Sequence, residues 1–420
     1  MTAALLLAVF ALFAALMLLR KLPALLAVPC MAATVAMVVR EPLAQWLSLV
    51  IADGAVRLAP AYVAVCAGAM LGRVMMSTGI AEDVIRRAAE FGGDRPMVVA
   101  AVLMSVTAVL FTSLTGLGAI IMVGSLVLPI MMSLGVPRRL AAILFLLAFA
   151  TGFIFNIALW RLYRELLQVA PAAALPREIV RFASALALVM TAVVGGYATW
   201  AASRAPDLRL WAASLPRRAT RVPAAAYLTP FVPLVLYVGF GWREVPAFLA
   251  GALYGIVLTR PRALVQTLLS AMIRGVEDAA PAVLLMAGIG MLLNALTLPA
   301  VRVALAPLVS QLPVQTPLSY VLFFTLLSPL ALYRGPLNPF GVGVGVYSLM
   351  LSSGLLPPLA LLAAIMSVGQ VQNVCDPTNT HNVWVASYTG VRVEEISRAT
   401  LLPMMLVCLG GLLLGAWWFL

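Results

Sequence analysis

The chain has 420 residues, of which 64% are hydrophobic and only 10% charged, with a mean hydropathy of +1.07. A soluble protein of this length needs far more polar surface, so the composition indicates an all-α polytopic membrane protein. The formal net charge of +12 comes with arginines at the ends of apolar runs, which reads as a positive-inside bias and not as a nucleic-acid surface.

Apolar runs near the length that crosses a bilayer, about 20 residues, recur along the chain. They lie near residues 2–19, 23–39, 55–76, 97–112, 140–160, 178–202, 224–240, 245–259, 280–298, 316–332, 356–372 and 399–420. About 10–12 transmembrane helices are therefore expected. The first run lacks a basic start, and its charges follow the apolar core, so it does not read as a signal peptide. Residues 77–96, STGIAEDVIRRAAEFGGDRP, are charged and amphipathic; Ser77 or Thr78 would cap an interfacial helix that Gly92–Gly93 would end.

Next comes FTSLTGLGA (111–119), small and polar with two glycines, followed by an apolar run short for a full crossing. It reads as the tip of a re-entrant hairpin, with Thr112, Ser113, Thr115 and Gly116 as candidate substrate ligands. ATGFIFN (150–156) then ends an apolar helix at Asn156. The segment SRAPDLRLWAASLPRRATR (203–221) has five arginines against one aspartate and reads as a cytoplasmic linker.

Beyond the linker the pattern repeats. APAYVAVCAGAMLG (59–72) matches APAVLLMAGIGMLL (280–293), and SLGVPRRLAAILFLLAFATGFIFN (133–156) matches SSGLLPPLALLAAIMSVGQVQN (352–373). Pro23 and Pro246 lie 223 apart, Gly54 and Gly275 lie 221 apart, and Asn156 and Asn373 lie 217 apart, so the register drifts by six residues. Two repeats, 1–202 and 222–420, follow. The basic clusters of the first are nearly absent at the matching points of the second, as expected if the second is inverted across the membrane.

The second repeat supplies a second hairpin, YRGPLNPFGVGVG (333–345), with Asn338 and Gly341 as candidates and Arg334 beside them as a possible partner for an anion. Its helix break, VGQVQNVCDPTNTHN (368–382), is the most polar stretch of the chain and holds its one histidine. Pro377 lacks an N–H and disfavours helical backbone at Asp376, so the helix unwinds there and frees polar backbone. Asn373, Thr378, Asn379 and Thr380 join the substrate candidates; Asp376, His381 and Asn382 are the ion-coupling candidates, with a possible sodium site near Asn156, Asn373 and Thr378.

The segments LGRVMMSTGIAEDVIRRAAEFGG (71–93), LTGLGAIIMVGSLVLPIMMSLGVP (114–137) and NVCDPTNTHNVWVASYTGV (373–391) resemble the ion transporter superfamily, most closely its gluconate–proton symporter and citrate/dicarboxylate branches. The resemblance implies two inverted repeats, each with a re-entrant hairpin and a broken helix, a scaffold that dimerises, and a transport part that moves as an elevator. Dicarboxylate members carry Ser-Asn-Thr motifs; here Ser113-Leu114-Thr115 and Thr378-Asn379-Thr380 are incomplete matches.

The expected function is a secondary active transporter, a proton- or sodium-coupled symporter of a small organic anion such as a sugar acid or a di- or tricarboxylate, in a cell inner membrane and as a homodimer. The alternative is a cation/proton antiporter on a related scaffold. Cys30, Cys66, Cys375 and Cys408 form no CxxC, and there is no Walker A pattern. No enzyme activity, cofactor, metal site beyond the coupling ion, or nucleic-acid partner is expected.

Overall fold

The computed structural model describes residues 2–19, 21–91, 96–167, 177–203, 222–341 and 343–420. The linker, apart from Ser203, and the expected helix stop at Gly92–Gly93 lie outside them. Among the described residues all regular structure is helical.

The first nine helices are α1 (Thr2–Leu18), α2 (Ala24–Val38), α3 (Leu43–Ser77, with a π-helical turn at Leu47–Ala52), α4 (Ile80–Phe91), α5 (Pro96–Phe111), α6 (Leu117–Ser133), α7 (Arg138–Phe153), α8 (Ile157–Leu166) and α9 (Arg177–Ser203). The next nine follow the same order: α10 (Ala224–Phe240), α11 (Glu244–Thr259), α12 (Leu264–Thr297), α13 (Pro299–Val309), α14 (Pro317–Leu327), α15 (Gly343–Ser352), α16 (Pro358–Cys375), α17 (Thr380–Thr389) and α18 (Val393–Phe419). A 3-10 turn at Ser328–Arg334 continues α14 toward the second hairpin tip.

The expected ten to twelve crossings need correction. Among the described residues six helical segments are long and apolar enough to span a bilayer, and a seventh is the pair α7–α8, bent by 64°. The excess arose because hydropathy counts every apolar run, whereas α1, α2, α5, α6, α10, α11 and α15 are shorter helices. At 1.5 Å per residue the 17 residues of α6 reach only ~26 Å, less than a hydrocarbon core of about 30 Å. The same counting missed the first turns of α12, whose 34 residues begin at Leu264 and not near residue 280.

Helices α3 and α12 form the central contact, and small residues allow their backbones to meet. Gly54 lies so close to Met291 that an added Cβ would sit 2.6 Å from its Cα; at Gly275 a Cβ would sit 2.7 Å from the Cα of Met70. Both pairs relate by one shift, since 275 − 54 = 221 and 291 − 70 = 221. A contact in which each residue meets the other's counterpart is that of a two-fold axis. Residue 54 meets 291 while residue 70 meets 275, so the two equivalent spans run antiparallel and the halves are inverted relative to each other.

Two polar contacts obey the same symmetry. Arg73 donates to both carboxylate oxygens of Asp278 (2.5 and 2.6 Å), and Arg57 donates to the side-chain oxygen of Asn294 (2.6 Å). Position 57 corresponds to 278 and position 73 to 294, again 221 apart. The first is a bidentate ion pair, the geometry that makes an arginine–carboxylate contact strong in a low-dielectric setting.

Helix α4 buries Ile80, Ala81, Ile85, Ala88 and Ala89 on one stripe, as its amphipathic pattern predicts. Asp83 is buried with them and accepts from the hydroxyl of Tyr227 (2.7 Å), the N–H of Val222 (3.3 Å) and Arg86 (2.6 Å), anchoring the chain where it resumes after the linker. Burial alone would raise this carboxyl; the hydrogen bonds from Tyr227, Arg86 and Val222 outweigh it and hold it below its ordinary value.

The symmetry makes a paired prediction. Gly54→Ala and Gly275→Ala should each destabilise the protein by about 1–3 kcal/mol, the usual scale of overpacking. Because the contacts are equivalent, their thermal-unfolding midpoints should fall by similar amounts; a large drop for one and none for the other would contradict the shared axis.

Candidate functional site

Each hairpin tip is held by the helix break of its own half. In the first half Asn156 caps α8: its side-chain oxygen accepts from the N–H groups of Ala158 and Leu159, both at 3.2 Å. Its amide nitrogen donates to the carbonyls of Phe111 (3.2 Å) and Leu114 (3.1 Å), which form the hairpin turn. One buried side chain thus satisfies two interrupted helices at once.

In the second half that part falls to Asp376. Its carboxylate accepts from the N–H of Tyr333 (3.0 Å), the amide of Asn338 (3.1 Å), and the N–H and hydroxyl of Thr378 (2.9 and 2.7 Å). The side chain of Asn382 donates to the carbonyls of Val374 (3.2 Å) and Asp376 (2.8 Å), satisfying the end of α16. Asn156 and Asp376 have nearly the same backbone, φ −72°, ψ 112° against φ −72°, ψ 111°. They lie 220 apart, as do Pro137 and Pro357 at the starts of α7 and α16. The counterpart of Asn156 is therefore Asp376 and not Asn373. The expected six-residue drift shrinks to three, because matching asparagine to asparagine misled the alignment by three residues.

Between the halves lies a cavity of about 570 Å³. Its walls are the corner before α2 (Leu22–Leu25), the first tip (Leu114–Leu117), the middle of α12 from Asp278, the second tip through Arg334 and Phe340, and the second break from Pro377 to His381. Of the sequence candidates, Thr115, Gly116, Asn373, Thr378, Asn379, Thr380 and His381 line this space.

The others stand behind the wall. Thr112 bonds back to Val109 within its turn, and Ser113 donates to the carbonyl of Pro230. Asn156, Asn338, Asp376 and Asn382 are buried in the ties just described, and Gly341 packs on the carbonyl of Arg334. Of the three residues of the expected sodium site, Asn156 is tied to the first hairpin, whereas Asn373 and Thr378 line the cavity. Among the described residues no group of three His, Cys, Asp or Glu side chains suits a metal ion.

The positive side of the cavity is local to the second half. Tyr333 and Arg334 both have left-handed backbone, φ 54° and 59°, a conformation costing about 1–3 kcal/mol per non-glycine residue. The bond from the Tyr333 N–H to Asp376 holds that turn, which presents Arg334 to the cavity. Among the described residues the Arg334 guanidinium bonds the carbonyl of Phe340 (3.4 Å) and makes no ion pair; Asp376 acts on it at longer range. The side chain of Asn379 is turned to Gln372 (2.9 and 2.8 Å), so the start of α17 carries no side-chain cap. The start of α6 is instead opposed by Asp278, whose carboxylate lies against Gly118.

Sequence reading missed Asp278, Gln372 and the phenylalanines Phe111, Phe149, Phe153 and Phe340. Asp278 had a signal: it is a carboxylate within a 34-residue apolar helix, which is functional or paired by default. The phenylalanines had none, since apolar side chains at a cavity look like any others in such a chain. His381 contacts the carbonyl of Asn373 through Nε2 (2.7 Å), with its ring 4.8 Å from that of Phe149.

A multi-pass membrane protein with paired hairpins and broken helices around a shared cavity is the architecture of membrane transporters. The chain shares its fold with the YdaH transporter of Alcanivorax borkumensis, whose crystal structure revealed an unusual topology. The TM-score is 0.62 over 89% of this chain and 88% of that one, at 15% sequence identity. No protein family and no curated protein matches the sequence.

The hydrogen bonds predict that Asp376→Ala costs more than a binding group. It would strand the N–H groups of Tyr333 and Thr378 and the amide of Asn338, each costing about 1–3 kcal/mol when left unsatisfied. A clear fall in the thermal midpoint of the purified protein is expected; an unchanged midpoint would count against the tie.

Proposed function

We propose that the chain is a secondary active transporter that carries a small organic anion through the cavity between its halves. The observation that supports this most directly is the meeting of Arg334, the uncapped start of α17 and the residues Thr115, Thr378 and Thr380 at one cavity. A guanidinium and a helix N-terminus both favour a carboxylate. The likeness in fold to a transporter agrees with this reading.

The walls also bear on the solute. Four phenylalanines, Phe111, Phe149, Phe153 and Phe340, surround the polar groups. Such a cavity suits a carboxylate with an apolar or aromatic body better than a polyhydroxylated sugar acid or citrate, whose hydroxyls would lose water without partners. We propose His381 as the proton-coupling group, since it lines the cavity whereas Asp376 is engaged behind it. Sodium coupling through the carbonyls freed at the second break is the alternative. Movement as an elevator, dimerisation through the scaffold and residence in a cell inner membrane complete the proposal and rest on the family resemblance.

Thermal-shift titration of the purified protein should give larger stabilisation with benzoate, phenylacetate or hexanoate than with gluconate or citrate, at pH 5.5 and 7.5 and with or without sodium. Arg334→Gln should weaken the preferred ligand at least tenfold, about 1.4 kcal/mol. Proteoliposomes that exchange protons for sodium with no organic acid present would overturn the symport reading in favour of an antiporter.

A further inference from the structure

The two halves are equivalent in sequence order but not in what surrounds their broken helices. Helix α8 packs along α3 of its own half. Its counterpart α17 does not close on α12, the counterpart of α3; the cavity lies between them, with Asp278, Pro281, Ala282 and Leu285 on one wall and Thr380, His381 and Val383 on the other.

A 220-residue shift, the one relating Asn156 to Asp376, carries His381 to Arg161 and Ala24 to Glu244. His381 and Ala24 both line the cavity. Arg161 and Glu244, at the equivalent place, instead form an ion pair across the halves (3.7 Å). Glu244 also pairs with Arg164 (3.8 Å), Arg164 bonds the hydroxyl of Tyr237 (3.3 Å), and Arg161 pairs with Glu165 (2.6 Å). The Arg161, Arg164 and Glu244 side chains are 12%, 8% and 6% exposed. Where the corner before α2 faces α17 across open space, the equivalent α10–α11 corner is joined to α8 by a buried ion-pair cluster.

We propose that this cluster is a closed gate over the symmetry-equivalent entrance, and that the protein exchanges the two arrangements. When Arg161 and Arg164 part from Glu244, a vestibule opens between α8 and the α10–α11 corner, and the existing cavity closes as α17 moves onto α12. The present state is then selected by the cluster, because the inverted symmetry otherwise gives the two ends equal standing. Breaking a buried pair by removing one partner leaves the other charged and desolvated, so loss of Glu244 specifically disfavours the closed gate. This inference rests on the transporter reading only for its purpose; its test reads conformation and needs no substrate.

Val383, 47% exposed on α17, is replaced by cysteine in the full chain, and its labelling by a membrane-impermeant maleimide is followed by peptide mass spectrometry. Its counterpart, Tyr163, is buried. Glu244→Gln should slow labelling of Val383→Cys at least threefold and speed backbone hydrogen exchange in 157–166 and 241–247 at least threefold. Glu395→Gln, in an exposed pair with Arg392, is the control and should change neither. Any result other than these opposite changes, including unaltered labelling or a rise in both, overturns the gate and leaves a local brace. If Glu244→Gln does not reach the membrane, Arg161→Gln is put to the same test. Failure here leaves the ligand titration untouched, and failure of that titration leaves this result readable.

Discussion

Backbone cut loose inside hydrocarbon must find its hydrogen bonds within the protein, and that constraint shapes this molecule. Two helices break and two hairpins turn back inside an apolar body, leaving free N–H and C=O groups. Asn156 and Asp376 resolve both problems in each half by reaching from the break to the hairpin tip. Their chemistry differs because their partners differ. Asn156 can donate to hairpin carbonyls and accept from α8, whereas Asp376 accepts only and collects donors, including the Tyr333 N–H. That last bond holds the strained turn that presents Arg334, so the cationic side of the cavity depends on a carboxylate behind it.

The second organising feature is the antiparallel crossing of α3 and α12. Lipid offers no hydrophobic drive between helices, so close approach at Gly54 and Gly275 and the cross-half pairs Arg73–Asp278 and Arg57–Asn294 hold the crossing. Its local symmetry is strict, with one shift of 221 relating backbone and polar contacts alike. The departure from symmetry lies farther out, where one broken helix is sealed to a corner by charge and the other faces open space. An equal pair of half-molecules is in this way poised in an unequal state.

Part of this was legible in advance. Composition sufficed for the membrane class, and hairpin tips and helix breaks stood out because small and polar residues within an apolar chain are costly unless buried in protein. Glycine pairs such as Gly54 and Gly275 exposed the duplication. Legibility failed where identity and role part company. The true counterpart of Asn156 is an aspartate, so matching like with like chose Asn373. Polar residues in the tips and breaks looked alike on paper, yet Thr378 faces the cavity while Asn338, Asp376 and Asn382 hold its wall from behind.

The sequence by itself determined that the chain is helical and membrane-embedded, that it is duplicated, and where its helices stop, because hydropathy, proline and small-residue spacing act locally. The tertiary structure alone decided which polar groups meet. Asp278 finds Arg73 across 205 residues and Glu244 finds Arg161 across the linker, since a buried charge is settled by whichever partner the packing brings within reach. It also decided that one broken helix faces a cavity while the other is joined to a corner by buried ion pairs. Both halves carry the same helix order, and only the packed whole distinguishes them.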